Sequence, residues 1–342
     1  MDIHLVSPVT GSTASWLKFA PITTAPFDRH VPPRALIALL LATIAGFAAE
    51  TPPAPRYFDP AQAFKPTTAT VVLLGTGMPV PNPDASGPAT AIVMGDRVLL
   101  FDAGPGTMRR IAAAGLPING LTAVFLTHLH TDHTLGYPDV IFTTWVMGRR
   151  TPLRVFGPTG LRRMTEHLLA AWSEDIDVRI NGLERNPPGG FAVTAREIGP
   201  GVVFDESGVR VTAFAVPHGN WKKAFGYRID TPERSIVISG DTAPSEELAR
   251  AAKDCDLLIH EAYPAVRLNP EARPGGDVWP LYMKSFHTSD EEVGAIASRA
   301  GIKKLILHHL VRMAGTDEEL LAGVRRGGFK GEIVIGRDLD RH

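Results

Sequence analysis

Residues 125–136 read FLTHLHTDHTLG, placing His128, His130, Asp132 and His133 directly after the apolar run AVFLT. Imidazole and carboxylate in this density are metal ligands. They suit zinc first, and also iron or manganese. Alternate residues of an extended segment face opposite sides, so one such loop can feed two ions. Two ions that each keep an open position need about seven or eight contacts, and the loop supplies four. The remainder must come from elsewhere in the chain, and His218, Asp241 and His309 are the natural candidates.

The chain carries 12 histidines. His4, His30, His167 and His342 stand in contexts typical of core or surface histidines. The others follow a regularity: polar, ligand-type residues appear where apolar strands stop. His218 follows FAVP, Asp241 follows IVISG, Glu261 follows LLIH, and the pair His308–His309 follows LIL. Sheets interleaved with helices place their sites at strand ends, where loops converge. Five strands each delivering a ligand to one edge are hard to explain as packing. Residue type alone leaves the choice between His308 and His309 open.

The elements that must position these groups are legible from period and punctuation. Strands are predicted at 71–75, 97–104, 122–128, 153–158, 209–219, 224–230, 235–242, 256–262, 303–309 and 332–338. Helices are predicted at 107–114, 160–173, 245–253, 289–300 and 316–326. The last two open with capping boxes, Ser289 with Glu292 and Thr316 with Glu319. Such interleaving implies a layered α/β domain over residues 70–342.

Composition sets outer bounds. The 342 residues are 44% hydrophobic and 21% charged, a globular balance. Lys and Arg number 35 against 36 Asp and Glu, so bulk charge gives no attraction to nucleic acid. The single cysteine, Cys255, excludes an intramolecular disulfide and reads as a buried structural thiol. Residues 1–49 read as a leader. Within it, residues 34–48 (RALIALLLATIAGFA) show the charged, apolar and small-residue order of a secretory signal. The apolar run is too short for a membrane span. A periplasmic or secreted protein is therefore expected, with no span in the mature chain. Residues 50–69 form a Pro-rich lead-in.

In order, THLHTDH, PHG, SGDT and the late LHH resemble the metal motifs of the metallo-β-lactamase superfamily, and the upstream LLGTG and LLFDAGPGT are similar to its opening strands. The resemblance covers about residues 70–338. It implies a four-layer αββα sandwich with a dinuclear zinc centre at one edge. Carried over, His128, His130 and His218 hold the first zinc. Asp132, His133 and His309 hold the second, and Asp241 bridges both. The family pattern Leu-x-His aligns on Leu307, His308 and His309, which favours His309 as the last ligand.

LIHEAY, with Glu261, and SFHTSDEE, with His287, resemble the ribonuclease Z and secreted arylsulfatase branch. There the histidine is catalytic and the glutamate orients it. The resemblance implies a metal-bridging hydroxide as nucleophile, Asp132 orienting it, and His287 assisting departure of the leaving group. Four features point away from RNA: the export signal, the neutral charge, the lack of a long Gly/Lys-rich insertion in 153–218, and LHHLVRM where ribonuclease Z carries a Ser-Arg-Tyr-type continuation. The expected substrate is a small-molecule aryl or alkyl ester, sulfate first and phosphodiester close behind, and nucleic acid is not expected as a partner. The alternatives are a lactonase or β-lactamase, a ribonuclease Z-like RNA endonuclease, and a non-enzymatic, metal-stabilised binding protein. Homo-oligomer formation is left open. The punctuated stretch 263–288, with Trp279, Tyr282 and Phe286, is expected to overhang the site and contact an aromatic substrate; Trp221 in PHGNWKK is a further loop aromatic.

Overall fold

Alternation of apolar side chains along the strands sets the layering. In the computed structural model, which describes residues 58–342 apart from Arg273, a compact unit spans Tyr57–His342. Residues 34–48, expected to act as an export signal, and the rest of the expected leader lie outside the described residues. The first half of the chain gives β1 (Thr70–Gly75), β2 (Ala89–Met94), β3 (Arg97–Phe101), α1 (Thr107–Ala113), β4 (Leu121–Phe125), α2 (Thr131–Thr134), α3 (Tyr137–Val146), β5 (Leu153–Gly157), α4 (Leu161–Ala171), α5 (Ser173–Asn181) and β6 (Val193–Glu197). The second half gives β7 (Gly201–Glu206), β8 (Val209–Ala215), β9 (Phe225–Asp230), β10 (Ser235–Ile238), α6 (Glu246–Ala251), β11 (Leu257–Ala262), α7 (Trp279–Phe286), α8 (Asp290–Ala300), β12 (Lys304–Leu310), α9 (Asp317–Arg326) and β13 (Glu332–Ile335).

The strands form two sheets, ordered β1-β2-β3-β4-β5-β6 and β13-β12-β11-β10-β9-β8-β7. Period 2 splits each strand between two cores. Phe125 of β4 and Ile259 of β11 face the inter-sheet core, where Phe101, Phe125, Phe156 and Tyr227 meet ring to ring. Val124 faces outward under Met108, Val140 and Leu161 of α1, α3 and α4. Leu258 faces outward under Leu248, Val293 and Leu320 of α6, α8 and α9. The result is a four-layer αββα sandwich, the architecture that the resemblance implied. Phe58 and Phe64 of the Pro-rich lead-in pack on the outer core of the first sheet.

Strand direction explains why the site residues meet. β8 and β9 are antiparallel, as are β9 and β10, while β10, β11 and β12 run parallel. Hence β8, β10, β11 and β12 all end at one edge. In the other sheet β3 and β4 are parallel and end together. The edges are tied where Phe225 N–H donates to the Thr127 carbonyl at 2.9 Å and the Tyr227 hydroxyl to the Leu126 carbonyl at 2.7 Å.

Several elements go beyond the periodicity reading. β6 and β7 are edge strands with few buried residues, so their apolar signal is weak. α7 lies within the Pro/Gly-punctuated stretch. Pro280 stands in its first turn, where a missing N–H costs nothing. Both capping boxes form with all their hydrogen bonds.

Candidate metal centre

The loop after β4 and the ends of β8, β10 and β12 bring seven ligand-type side chains together. His128 Nε2 lies 2.8 Å from His130 Nδ1, and His218 Nε2 lies 3.2 Å from that same atom. In a second group, His309 Nε2 is 3.2 Å and His133 Nε2 3.6 Å from Asp132 Oδ2. Asp241 sits between the groups. Its Oδ1 is 3.3 Å from His133 Nε2, and its Oδ2 is 3.3 Å from His309 Nε2 and 3.9 Å from His128 Nε2. Ligand atoms around a tetrahedral zinc with bonds of about 2.0–2.1 Å stand about 3.3 Å apart. His133 Nε2 and Asp241 Oδ1 are buried without a hydrogen-bond partner, although each could take a cation. These residues fit a metal pair.

His309 reaches the centre through a β-bulge. His308 pairs with Glu261 and Leu310 with Ala262, so His309 is the extra residue, at φ +44°. His308 stays in register, and neither of its buried ring nitrogens has a hydrogen-bond partner. Burial pushes its pKa down to about 3, so the ring is neutral.

A layer behind the ligands fixes which nitrogen each ring presents. Asp102 follows β3 at φ +58°. It accepts from His133 Nδ1 at 2.8 Å and from the Thr127 amide at 2.8 Å. The Thr127 hydroxyl donates to Asp102 at 2.9 Å, so it accepts from His128 Nδ1 at 3.0 Å. One carboxylate therefore orients a ligand in each group. His218 Nδ1 donates to the Phe286 carbonyl at 2.7 Å, and the Trp221 indole N–H reaches His130 Nε2 at 2.7 Å. Asp102 and Thr127 were not singled out from sequence, although LLFDAG shows the same polar residue at a strand end. Nothing in the sequence marks a backbone carbonyl such as that of Phe286.

Burial is the main influence on every imidazole here. It holds His128 well below the ordinary value, lowers His130, and takes His218 down to about 4 against the pull of Asp241. Those three rings are neutral and ready to ligate. At His133 and His309 burial is outweighed by Asp241, joined by Asp102 and Asp132 respectively, and both are raised. A cation bound there would compete with protons for these two rings. Burial would raise Asp132 and Asp241, but His309 and His133 hold both carboxyls below the usual range.

Glu261 and His287 meet at the rim of this cluster. His287 Nδ1 is 3.1 Å from both Glu261 oxygens, and the Thr242 amide donates to Glu261 Oε1 at 2.9 Å. That leaves His287 Nε2 for chemistry. Asp241, His287 and His309 offer polar atoms within 4.8 Å of one another. Burial would lower His287, but Glu261 outweighs it and raises it to about 9.

A family model described as a beta-lactamase superfamily domain matches residues 97–310. Ribonuclease Z of Mycobacterium bovis is 34% identical over 280 residues, covering 79% of this chain and 96% of that protein. Ribonuclease Z of a Mycobacterium species is 35% identical over 279 residues, covering 79% and 94%. Among solved structures, the metallo-beta-lactamase fold protein YhfI from Bacillus subtilis aligns with a TM-score of 0.60 at 21% identity, over 80% of this chain and 99% of its own. Human tRNase Z, short form, aligns with a TM-score of 0.60 at 21% identity, over 80% and 98%. The two structures bear on the fold alone.

One expectation is corrected by these relatives. Nucleic acid was not expected as a partner, yet the curated relatives bear the name Ribonuclease Z. The physical reason lies in where charge acts. A net charge of −1 averages the whole surface, whereas in a two-metal site the ions are the largest local charges. Among the described residues, no helix is long and apolar enough to cross a membrane. The chain belongs to the β-lactamase superfamily of metal-dependent hydrolases, with proteins named ribonuclease Z among its relatives.

Proposed function

We propose that the protein is a zinc-dependent phosphodiesterase that cleaves RNA, with two ions per chain. The observation that carries this reading is the shared Asp241. It stands within 3.3–3.9 Å of ligand atoms in both groups, with the His287–Glu261 pair at their edge. The curated relatives favour RNA over the sulfate esters expected from sequence. When bound, a metal pair supplies Lewis acidity and activates water for attack at neutral pH.

The chain's own residues supply the rest. Asp132, ionised and buried beside His309, orients the attacking water through a hydrogen bond. His287, held by Glu261, presents a protonated Nε2 to the leaving oxygen. A general acid in that role contributes about 10²–10⁴-fold. The test is cleavage of an RNA with a 3′ extension beyond a stem. His128→Ala is expected to abolish cleavage and lower zinc content. His287→Ala is expected to keep the zinc and lose about 10²–10⁴-fold in kcat. Full cleavage by His287→Ala contradicts the assignment of the acid.

A further inference from the structure

Three residues, His287 to Ser289, join α7 to α8. His287 closes α7, its amide donating to the Met283 carbonyl at 2.8 Å. Ser289 opens α8 through its capping box. Thr288 lies between them and is fully buried. The linker is pinned to the end of β11 by backbone bonds: the Tyr263 amide donates to the Thr288 carbonyl at 3.2 Å, and the Asp290 amide to the Tyr263 carbonyl at 2.8 Å. It is pinned to the loop after β10 by a side chain. The Thr288 hydroxyl donates to the Thr242 carbonyl at 2.6 Å.

Two anchors converge on Thr242, the residue that follows Asp241. Its amide donates to Glu261 Oε1 at 2.9 Å, and Glu261 accepts from His287 Nδ1 at 3.1 Å. Its carbonyl accepts from Thr288. The ring of His287 and the backbone beside it are thus both tied to the residue next to the carboxylate that stands between the two ligand groups. The His287 ring lies 5.5 Å from that of His218 and 5.9 Å from that of His309, so it faces a ligand of each group. A hydrogen bond at Nδ1 alone leaves the ring free to pivot. The second anchor fixes the backbone that carries the ring, and with it the position of Nε2. A misplacement of about 1 Å costs about 10²-fold in rate.

We propose that Thr288 is a positioning residue for His287: its hydroxyl sets where Nε2 lies relative to Asp241, and so relative to the leaving oxygen. This rests on the RNA-cleaving reading of the same centre, with His287 as its acid. Valine at this position keeps the shape and removes the hydroxyl, leaving the buried Thr242 carbonyl without its donor. Serine keeps the hydroxyl.

The test compares zinc-loaded parent, Thr288→Val, Thr288→Ala and Thr288→Ser on two substrates. RNA with a 3′ extension has a leaving alkoxide that needs a proton, whereas bis(4-nitrophenyl) phosphate releases a phenolate that departs without one. Thr288→Val and Thr288→Ala are expected to lower kcat for RNA about 10–100-fold, with KM and zinc content held. The loss on RNA is expected to exceed the loss on the aryl diester about ten-fold or more. Thr288→Ser is expected to keep the parent kcat. Thr288→Val added to His287→Ala is expected to cause no further loss on RNA, because no acid remains to be positioned. Equal losses on both substrates, an additive loss in the double variant, or parent-like kcat without the hydroxyl overturn the positioning role while leaving RNA cleavage intact. Loss of zinc or of the folded state in both Thr288→Val and Thr288→Ala assigns the hydroxyl to stability and overturns it as well. Failure of the parent to cleave the RNA while it turns over the aryl diester overturns the underlying reading, and the role of Thr288 with it.

Discussion

At the scale of the residue, Asp102 is the point of greatest leverage that makes no contact with substrate. It fixes His133 directly and His128 through Thr127. Loss of such an outer partner typically costs 10–100-fold in metal affinity. Asp102→Ala is expected to weaken zinc binding at both groups, read by competition with a chromophoric chelator. Weakening at one group alone contradicts the relay through Thr127. His287 gives a second prediction. The acid role proposed for it needs the protonated ring, so activity is expected below its pKa and lost as pH rises through it. Without metal that pKa is raised to about 9 by Glu261. Bound cations push it lower. kcat for RNA is expected to fall on the alkaline side, with the limb absent in His287→Ala. The ligand types and spacing were legible in the sequence because chemistry needs side chains of a given kind. The bulge that turns His309 inward, and the φ of Asp102, are backbone facts with no letter of their own.

At the scale of the element, α7 ties the site together. Its last carbonyl, on Phe286, holds His218, and its ring packs where a Cβ on Gly219 would stand, 2.0 Å from Phe286 Cζ. Gly219 also has φ +52°, a conformation that costs other residues about 1–3 kcal/mol. Gly219→Ala is expected to lose at least about 1 kcal/mol of stability in urea titration and to weaken zinc binding through His218. Parent-like values for both contradict the coupling. The strands that end in ligands could be placed from sequence, because apolar runs bounded by polar residues are a strong signal. α7 could not, since Gly275, Gly276 and Pro280 mark it as a loop; Pro280 is tolerated because it falls in the first turn.

At the scale of the whole molecule, the layered architecture follows from period-2 burial, and strand direction alone gathers the site at one edge. Composition misled only where it stood in for local charge, in the expectation about nucleic acid. The central claim is phosphodiester hydrolysis in RNA by a metal pair. The most direct measurement is turnover of a panel under one set of conditions: RNA with a 3′ extension, an aryl sulfate, a lactone and a β-lactam, each with chelator and after zinc is restored. RNA cleavage that is lost on chelation, regained with zinc and dominant over the other three is the predicted result. Turnover of the aryl sulfate, lactone or β-lactam with the RNA left intact would contradict it.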